Sequence, residues 1–294
     1  MKPRKLPLRA TNFGEWLASL GLLQLVAATG EDTPKLHFDA DGFAFLHSKA
    51  DDKTLTSLLK ETADEKRIRV HFYTKTESKG ASSGPISIGD ELHYEATFAL
   101  DTDANRRAFE TTAETKDGCP ITFAVGRGVF VRHFVGKALC DLAGLRSPVK
   151  TWSGQVTFPR IFQSIRQKVA ASTTVSFDEM LSTASRETQR FRFDHAWENY
   201  FDDGSASLEE GAEMRPAVEW LALAGLSFFP AEWGWKCLSP RRNVLRSCLW
   251  ANPLDVSAIT LALHSGQLQP AAEFQVVVGG QFEPKKIRFL STHN

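Results

Sequence analysis

The chain has 294 residues, of which 42% are hydrophobic and 24% are charged, as is typical of a globular protein with a sizeable core. Lys plus Arg and Asp plus Glu both number 35, so the formal net charge is zero. This balance excludes a protein that finds nucleic acid by bulk charge, although a local basic face is compatible with it.

The cysteines and the N-terminal residues indicate where the protein works. Cys119, Cys140, Cys237 and Cys248 form no C-x-x-C pair and lack zinc-finger spacing. The basic stretch "MKPRKLPLRA" is not followed directly by an apolar signal-peptide segment, and the first apolar helix is too short and too polar to span a bilayer. We therefore expect a reduced, cytoplasmic protein that needs no membrane, metal or cofactor.

The first predicted element is a helix that begins after Asn12. Asn12 and Glu15 fit a capping box, in which each side chain accepts a hydrogen bond from the backbone N–H of the other residue. Helical spacing predicts a single apolar face made of Phe13, Trp16, Leu17, Leu20 and Leu23. Gly21 costs about 1 kcal/mol relative to alanine in a helix interior, which indicates either close backbone packing or a break.

Strands dominate the prediction for the middle of the chain. Strand patterns occupy 35–48, 67–75, 92–100 and the start of 120–145, which turns helical around Gly136. The segment 78–91 is rich in Gly and Ser and predicts a loop. A helix with interleaved basic residues follows at 159–171, and a strand is predicted within 190–200.

A second apolar helix, 216–229, repeats the first at an offset of 204 residues. Both contain Glu-Trp-Leu-Ala followed by Gly-Leu. The repeat has two interpretations, an internal duplication of a helix-containing unit or two helices that pack alike. Beyond it, 233–250 predicts two strands joined by a turn, and a short helix at 255–264 precedes two final strands.

These elements lack regular β-α alternation, which favours an α+β fold with mixed antiparallel sheets and packed amphipathic helices. Length suggests an N-terminal α+β region, 1–150, and a C-terminal one, 151–294, unless the chain forms one domain.

The sequence lacks the familiar signatures of enzymes. It contains no G-x-S-x-G, H-E-x-x-H, Walker or G-x-G-x-x-G motif. His37, Asp39 and Asp41 alternate as residues on one side of a strand do, but a solvated strand face is a commoner origin of that pattern than a metal site. We therefore expect no catalytic residues.

Arginines beside aromatic residues are the more informative feature. The turn "SPRRN" (239–243) offers Arg241, Arg242 and Asn243, with Lys236 and Arg246 on the adjoining strands. Guanidinium groups bind phosphate and guanine edges, and Asn suits adenine. The turn is thus either a nucleic-acid-binding finger or a solvated turn on a charged edge hairpin.

Further basic residues form three clusters along the chain. The members are Arg160, Arg166 and Lys168; Arg127, Arg132 and Lys137; and Lys2, Arg4, Lys5 and Arg9. Each cluster alone is ordinary surface, but several on a chain of zero net charge predict a basic face segregated from an acidic one.

Four phrases taken in order carry a family resemblance. "EWLASLGLLQLV" (15–26), "KTWSGQ" (150–155), "RFRFD" (190–194) and "RPAVEWLALAGLSFFP" (215–230) resemble a subunit of the type I-U (also called I-G) CRISPR effector complex. The likeness is to the small variant of that subtype's large-subunit group.

The resemblance implies a non-enzymatic part of a crRNA-guided antiviral surveillance complex. Its expected partners are crRNA, target double-stranded DNA, the other effector subunits and a helicase-nuclease recruited after target binding. Its expected tasks are recognition of the protospacer-adjacent motif and stabilisation of opened DNA, since base pairing supplies the sequence specificity. The alternative is a purely structural adaptor that docks other subunits and does not contact DNA.

Overall fold

A computed structural model describes residues 2–64, 67–73, 93–99, 102–105, 107, 119–125, 128–135, 158–186, 193–194, 213–229, 237–240, 244–277 and 286–292. The helices are α1 (Phe13–Ala28), α2 (Asp52–Asp64), α3 (Phe158–Ala170), α4 (Phe177–Ser182), α5 (Pro216–Gly225), which continues as a 3-10 turn (Leu226–Phe228), and α6 (Val256–Ser265). The strands are β1 (Arg4–Arg9), β2 (Lys35–Phe38), β3 (Phe43–His47), β4 (Arg67–Tyr73), β5 (His93–Ala99), β6 (Cys119–Val125), β7 (Gly128–Val135), β8 (Ser185–Arg186), β9 (Glu213–Met214), β10 (Val244–Leu249), β11 (Gln269–Val277) and β12 (Lys286–Thr292).

The strands form antiparallel sheets. Their orders are β1-β3-β2, β5-β4-β6-β7, β10-β11-β12 and the short pair β8-β9. Every pairing between these strands is antiparallel. In the part of the chain that the structure describes, helices and antiparallel strands are mixed without parallel β-α-β units, so the predicted α+β class is confirmed.

Helix α1 lies at the centre of the molecule. It packs against α5 and also contacts strands of all three larger sheets: β1, β2, β3, β7 and β10. Of its 16 residues, all but Gln24, Ala27 and Ala28 are buried. The prediction of one apolar face was therefore too narrow, because neighbours surround this helix. Amphipathic packing occurs instead in α2, which buries Leu55 and Leu59 at helical spacing.

The two glycines of the repeated motif let α1 and α5 touch backbone to backbone. A Cβ added to Gly21 would lie 1.8 Å from the carbonyl oxygen of Leu221, and one added to Gly225 would lie 2.1 Å from that of Leu17. The contact is reciprocal, since each glycine meets the leucine that precedes the other glycine by four residues. Close packing, rather than a helix break, is thus the reason for Gly21.

The start of α1 uses half of the predicted capping box. Asn12 Oδ1 accepts from the backbone N–H of Glu15 at 3.2 Å. The Glu15 carboxylate does not complete the box, because its Oε2 accepts from the backbone N–H of Arg9 at 2.6 Å. This bond ties the end of β1 to the first turn of α1.

One hydrophobic core extends from Leu6 to Phe274 and includes buried residues of both predicted regions, 1–150 and 151–294. The N-terminal part supplies α1 and the inner face of β1-β3-β2, and the C-terminal part supplies α5 and β10. The two regions therefore share a core, and the boundary itself lies outside the described residues.

Several predicted elements are confirmed with shifted limits. Residues 35–48 form the hairpin β2–β3, 120–145 contains the strands β6 and β7 up to Val135, and α3 and α6 match their predicted spans. Of the hairpin predicted within 233–250, the second strand is β10, which also pairs with β11. Residues 237–238 form a turn, and the backbone N–H of Arg246 donates to the carbonyl oxygen of Leu238 at 2.9 Å, while 233–236 and 241–243 lie outside the described residues. The loop 78–91 lies outside the described residues, as does 190–200 apart from residues 193–194.

Candidate nucleic-acid interface

The three-stranded sheet β1-β3-β2 has one buried face and one open face. Side chains alternate across a strand, so residues two apart share a face. Leu6 and Leu8 of β1, with Leu36 of β2 and Leu46 of β3, point into the core. The opposite side, which we call the aromatic–basic face, consists of Lys5, Pro7, Arg9, Lys35, His37, Phe43, Phe45 and His47.

Strand register brings these residues into rows. Lys5 pairs with Phe45, which in turn pairs with His37, so one row crosses all three strands. Arg9 pairs with Phe43 on the next row. The basic groups are exposed and the aromatic rings are partly exposed.

Cations lie directly over the phenylalanine rings. Lys5 Nζ is 3.8 Å from the ring centroid of Phe43, and the Arg9 guanidinium carbon is 4.2 Å from the same centroid. The His37 ring stacks on Phe45 with a centroid distance of 5.0 Å. Such contacts are cation–π and aromatic pairs of the kind that also hold nucleotide bases.

Two histidines of this face bond to each other. His47 Nε2 and His37 Nδ1 are 2.9 Å apart. Partial burial lowers the pKa of His37, and the neighbouring His47 lowers it further, while Asp39 opposes the shift. Partial burial and the charge of Lys35 lower the pKa of His47. The pair is therefore uncharged at neutral pH, with one ring donating an N–H to the other.

A carboxylate beside the face organises the turn between β2 and β3. Asp39 Oδ1 accepts from the backbone N–H of Phe43 at 2.8 Å and of Asp41 at 3.0 Å. Its Oδ2 is 3.8 Å from Lys5 Nζ. Gly42, with a φ of 78°, supplies the left-handed turn conformation. Asp39 thus fixes the turn that presents Phe43.

The residues predicted to bind nucleic acid fall largely outside this description. Those in segments that the structure does not describe are Lys236, Arg241, Arg242, Asn243, Arg127 and Lys137. Arg132 lies on β7 and Arg160 on α3, where the described structure covers the backbone. The arginine turn therefore stays a prediction.

Three of the residues predicted to bind nucleic acid, Arg246, Arg166 and Lys168, lie among the described residues. Arg246 Nη2 bonds the buried carboxylate of Glu273 at 2.8 Å. Arg166 is 7% exposed and lies 3.4 Å from Gln163 Oε1, so burial removes it from the surface cluster expected of its helix. Lys168 of α3 is partly exposed.

The N-terminal basic cluster has two parts with different surroundings. Arg4 bonds Asp52 at 2.6 Å and Asp178 at 2.8 Å, which ties β1 to α2 and α4. Lys5 and Arg9 instead stand on the aromatic–basic face. Sequence reasoning did not predict β1 and so missed this face, although the alternation in "RKLPLR" and "FAFLH" was the available signal.

A buried ionic cluster joins the two repeated helices. Arg215, just before α5, donates to Asp194 through Nε and Nη2 and to Glu15 through Nη2, each at 2.6 Å. Asp194 also accepts from Asn12 Nδ2 at 2.9 Å, and its backbone N–H donates to Glu219. Glu15, Asp194, Arg215 and Glu219 belong to three of the four phrases that carry the family resemblance, and Asn12 lies three residues before the first of them.

Burial and pairing determine the charge states in this cluster. Burial raises the pKa of Glu15, and the positive charge of Arg215 opposes that rise. Burial alone would lower the pKa of Arg215, but its bonds to Asp194 and then Glu15 raise it. The guanidinium is enclosed by protein carboxylates, so the cluster is a structural ion-pair network that links α1, α5 and residues 193–194.

A cysteine and a histidine also meet near α6. Cys237 Sγ lies 3.7 Å from His264 Nδ1, and His264 Nε2 lies 2.9 Å from the carbonyl oxygen of Phe228. Since a carbonyl accepts, Nε2 carries the proton and Nδ1 accepts from the thiol. Burial raises the pKa of Cys237 to about 11, so the pair lacks the thiolate that a nucleophile needs.

Within the described residues, no group of three or more His, Cys, Asp or Glu side chains is arranged to hold a metal ion. In the same part of the chain, every helix falls short of the length or hydrophobicity that crossing a membrane requires. Comparisons with protein-family models, curated proteins and solved structures found no match.

Proposed function

We propose that this chain is a non-catalytic, nucleic-acid-binding subunit of a crRNA-guided antiviral surveillance complex in the cytoplasm. The observation that carries the proposal is the aromatic–basic face, where Lys5 and Arg9 stand exposed beside Phe43 and Phe45. The ordered resemblance to the small large-subunit variant of type I-U/I-G complexes supplies the biological setting.

The face provides two kinds of contact that nucleic-acid binding uses, namely cations for the phosphates and aromatic rings for the bases. Lys5, Arg9 and Lys35 offer cations to phosphates, which give affinity without sequence specificity. Partners in this role are crRNA, target double-stranded DNA and the neighbouring subunits, with a helicase-nuclease recruited after target binding. Sequence specificity comes from base pairing to the guide, so a protein surface of this kind needs little base readout.

Salt dependence tests the nucleic-acid part of the proposal. Binding of the full chain to fluorescent DNA and RNA is measured by anisotropy over a range of salt concentrations. Each phosphate contact contributes a slope of about −0.7 to −0.9 to a plot of log binding constant against log salt concentration. Lys5→Gln and Arg9→Gln should each lower affinity and remove about one such contact. Lys53→Gln, an exposed lysine of α2 outside the face, is the matched control.

Co-expression tests the assembly part. The chain is produced with the other subunits of a type I-U/I-G effector complex and with a crRNA, and the tagged complex is purified. Co-purification together with salt-dependent binding supports the proposal. Co-purification without any salt-sensitive binding would instead favour the structural adaptor, and failure of both would overturn the assignment.

A further inference from the structure

We propose that the aromatic–basic face binds unpaired, single-stranded nucleic acid by stacking bases on Phe43 and Phe45 while Lys5 and Arg9 hold the phosphates. The inference rests on the proposed function and adds the class of ligand. It follows from the spacing, exposure and present partners of the two rings.

The spacing of the rings favours separated bases. Phe43 and Phe45 are two residues apart on β3, so they lie about 6.6 Å apart along the strand. Bases in a duplex strand are spaced about 3.4 Å apart, and neighbouring bases cover their faces. A duplex therefore has no free base face to place on these rings, whereas an unpaired strand can splay two bases to this distance.

The neighbouring residues extend the same surface across the sheet. His37, on the adjoining strand about 4.8 Å further across, already stacks on Phe45, so an entering base displaces His37 from that ring, takes the other face of Phe45 or stacks on His37 itself. Aromatic residues on an open antiparallel sheet that hold two or three bases are a recurring mode of single-strand recognition. The face therefore has room for about two or three nucleotides.

The cations that now cover Phe43 are displaceable. The Lys5 side chain is 52% exposed, and its contact with Asp39 is long, at 3.8 Å. A cation over a ring at an exposed site is held roughly two to three times less strongly than a stacked base. An incoming strand can therefore take the ring face while the ammonium and guanidinium groups move to its phosphates.

The experiment compares single strands with a duplex. Full-length protein is titrated with fluorescent oligothymidylate, with oligouridylate and with a DNA duplex, each of about 12 nucleotides per strand. We expect the single strands to bind at least about tenfold more tightly than the duplex. Preference between the two single strands assigns the face to DNA or RNA, and either preference supports the proposal.

Ring-removing variants test the stacking directly. Phe43→Leu and Phe45→Leu keep an apolar side chain on the surface and should each weaken single-strand binding by about 5- to 150-fold. The salt slope should not change, because no charge is removed. Leu261→Ala, at an exposed site on α6 outside the face, is the control for loss of an apolar group.

Two outcomes separate this inference from the proposed function. If duplex and single strands bind equally and the leucine variants bind normally, stacking is refuted, while the proposed function stands as long as Lys5→Gln still weakens binding. If Lys5→Gln and Arg9→Gln match the Lys53→Gln control, the face does not bind nucleic acid, and both proposals fail. Circular dichroism of each variant verifies that folding is unchanged.

Discussion

Replacing Gly21 by alanine should be strongly destabilising, although alanine is the better helix former. A Cβ at this position would meet three backbone atoms of α5: the carbonyl oxygen and carbon of Leu221 and the amide nitrogen of Gly225. The nearest is 1.8 Å away, and real contacts of a Cβ stay beyond 3.0 Å, so the helices must separate by about 1.2 Å. Backbone atoms have no rotamer by which to move aside.

The magnitude follows from two opposing terms. Alanine gains about 1 kcal/mol of helix propensity relative to glycine. A gap of 0.5 to 1 Å already forfeits about a quarter to a half of the dispersion energy between packed atoms. Overpacking in a core costs about 1–3 kcal/mol and sometimes more. Because the strain falls on backbone atoms, the overpacking cost lies at the upper end of that range, at about 3 kcal/mol or more. After the gain in helix propensity, we expect a net loss of about 2 kcal/mol or more in the free energy of unfolding.

Thermal and denaturant unfolding of Gly21→Ala measure this loss, which corresponds to a decrease in Tm of about 4 °C or more. Gly225→Ala should behave alike, since its added Cβ would lie 2.1 Å from the carbonyl oxygen of Leu17. The double variant should lose less than the sum of the single ones, because one separation of the helices accommodates both methyl groups.

Gly266→Ala is the comparison for a glycine without close neighbours. Its added Cβ has open space, but its φ of 69° lies in the left-handed region, which costs about 1–2 kcal/mol for an L-residue. An unchanged or higher Tm for Gly21→Ala, or strict additivity of Gly21→Ala and Gly225→Ala, would refute the reasoning about the helix contact.

Three further predictions concern charged groups. Arg215→Met leaves buried carboxylates without their cation and should lower the free energy of unfolding, measured by chemical denaturation, by about 3–5 kcal/mol. A loss under about 1 kcal/mol would contradict a structural role of this ion-pair network. The bond to Arg4 is the main cause of the lowered pKa of Asp52, so the charged carboxylate stabilises the fold. Asp52→Asn should therefore lower the free energy of unfolding at pH 7 by less than about 1 kcal/mol, and it should be as stable as the wild type in acid, where Asp52 is protonated. An equal loss of stability at both pH values would refute this prediction. The pKa values of His37 and His47 are lowered in the folded state, so the unfolded chain binds more protons than the folded one as the pH falls. The free energy of unfolding should therefore decrease below about pH 6.5. If a His37→Gln/His47→Gln variant showed the same decrease, the histidine pair would not be its cause.

Local patterns were sufficient for much of the fold. The spans of α1, β2–β3, α3 and α6 follow from periodicity and caps that lie within about 15 residues of one another. β1 was not predicted, because its sequence contains basic residues and Pro7, which argue against a strand. Proline has no backbone N–H to donate to the hydrogen-bond ladder of a central strand. β1 tolerates Pro7 because it is the outer strand in the order β1-β3-β2.

The sites depend on contacts that no local pattern contains. Lys5 lies across from Phe45, 40 positions along the chain, and Glu15 bonds Arg215, 200 positions away. The signal for the ionic cluster was a glutamate inside an apolar helix, present in both copies of the repeated motif. A charge that costs so much to bury needs a specific partner, but the sequence does not say which of 35 basic residues supplies it.

The alternation of β1 separates stability from binding. Leu6 and Leu8 are fully buried, whereas Lys5 and Arg9 on the other side of the same strand are exposed. The backbone N–H of Arg9, bonded to Glu15, fixes this strand to α1 while leaving the Arg9 side chain on the open face. Substitution of an outward residue, which removes a contact of the proposed binding face, should therefore change the free energy of unfolding by no more than about 0.5 kcal/mol. Truncation of an inward leucine should cost about 2–5 kcal/mol. Because the buried leucines hold β1 in place, a loss of binding in a variant of an outward residue would be due to the altered aromatic–basic face and not to unfolding.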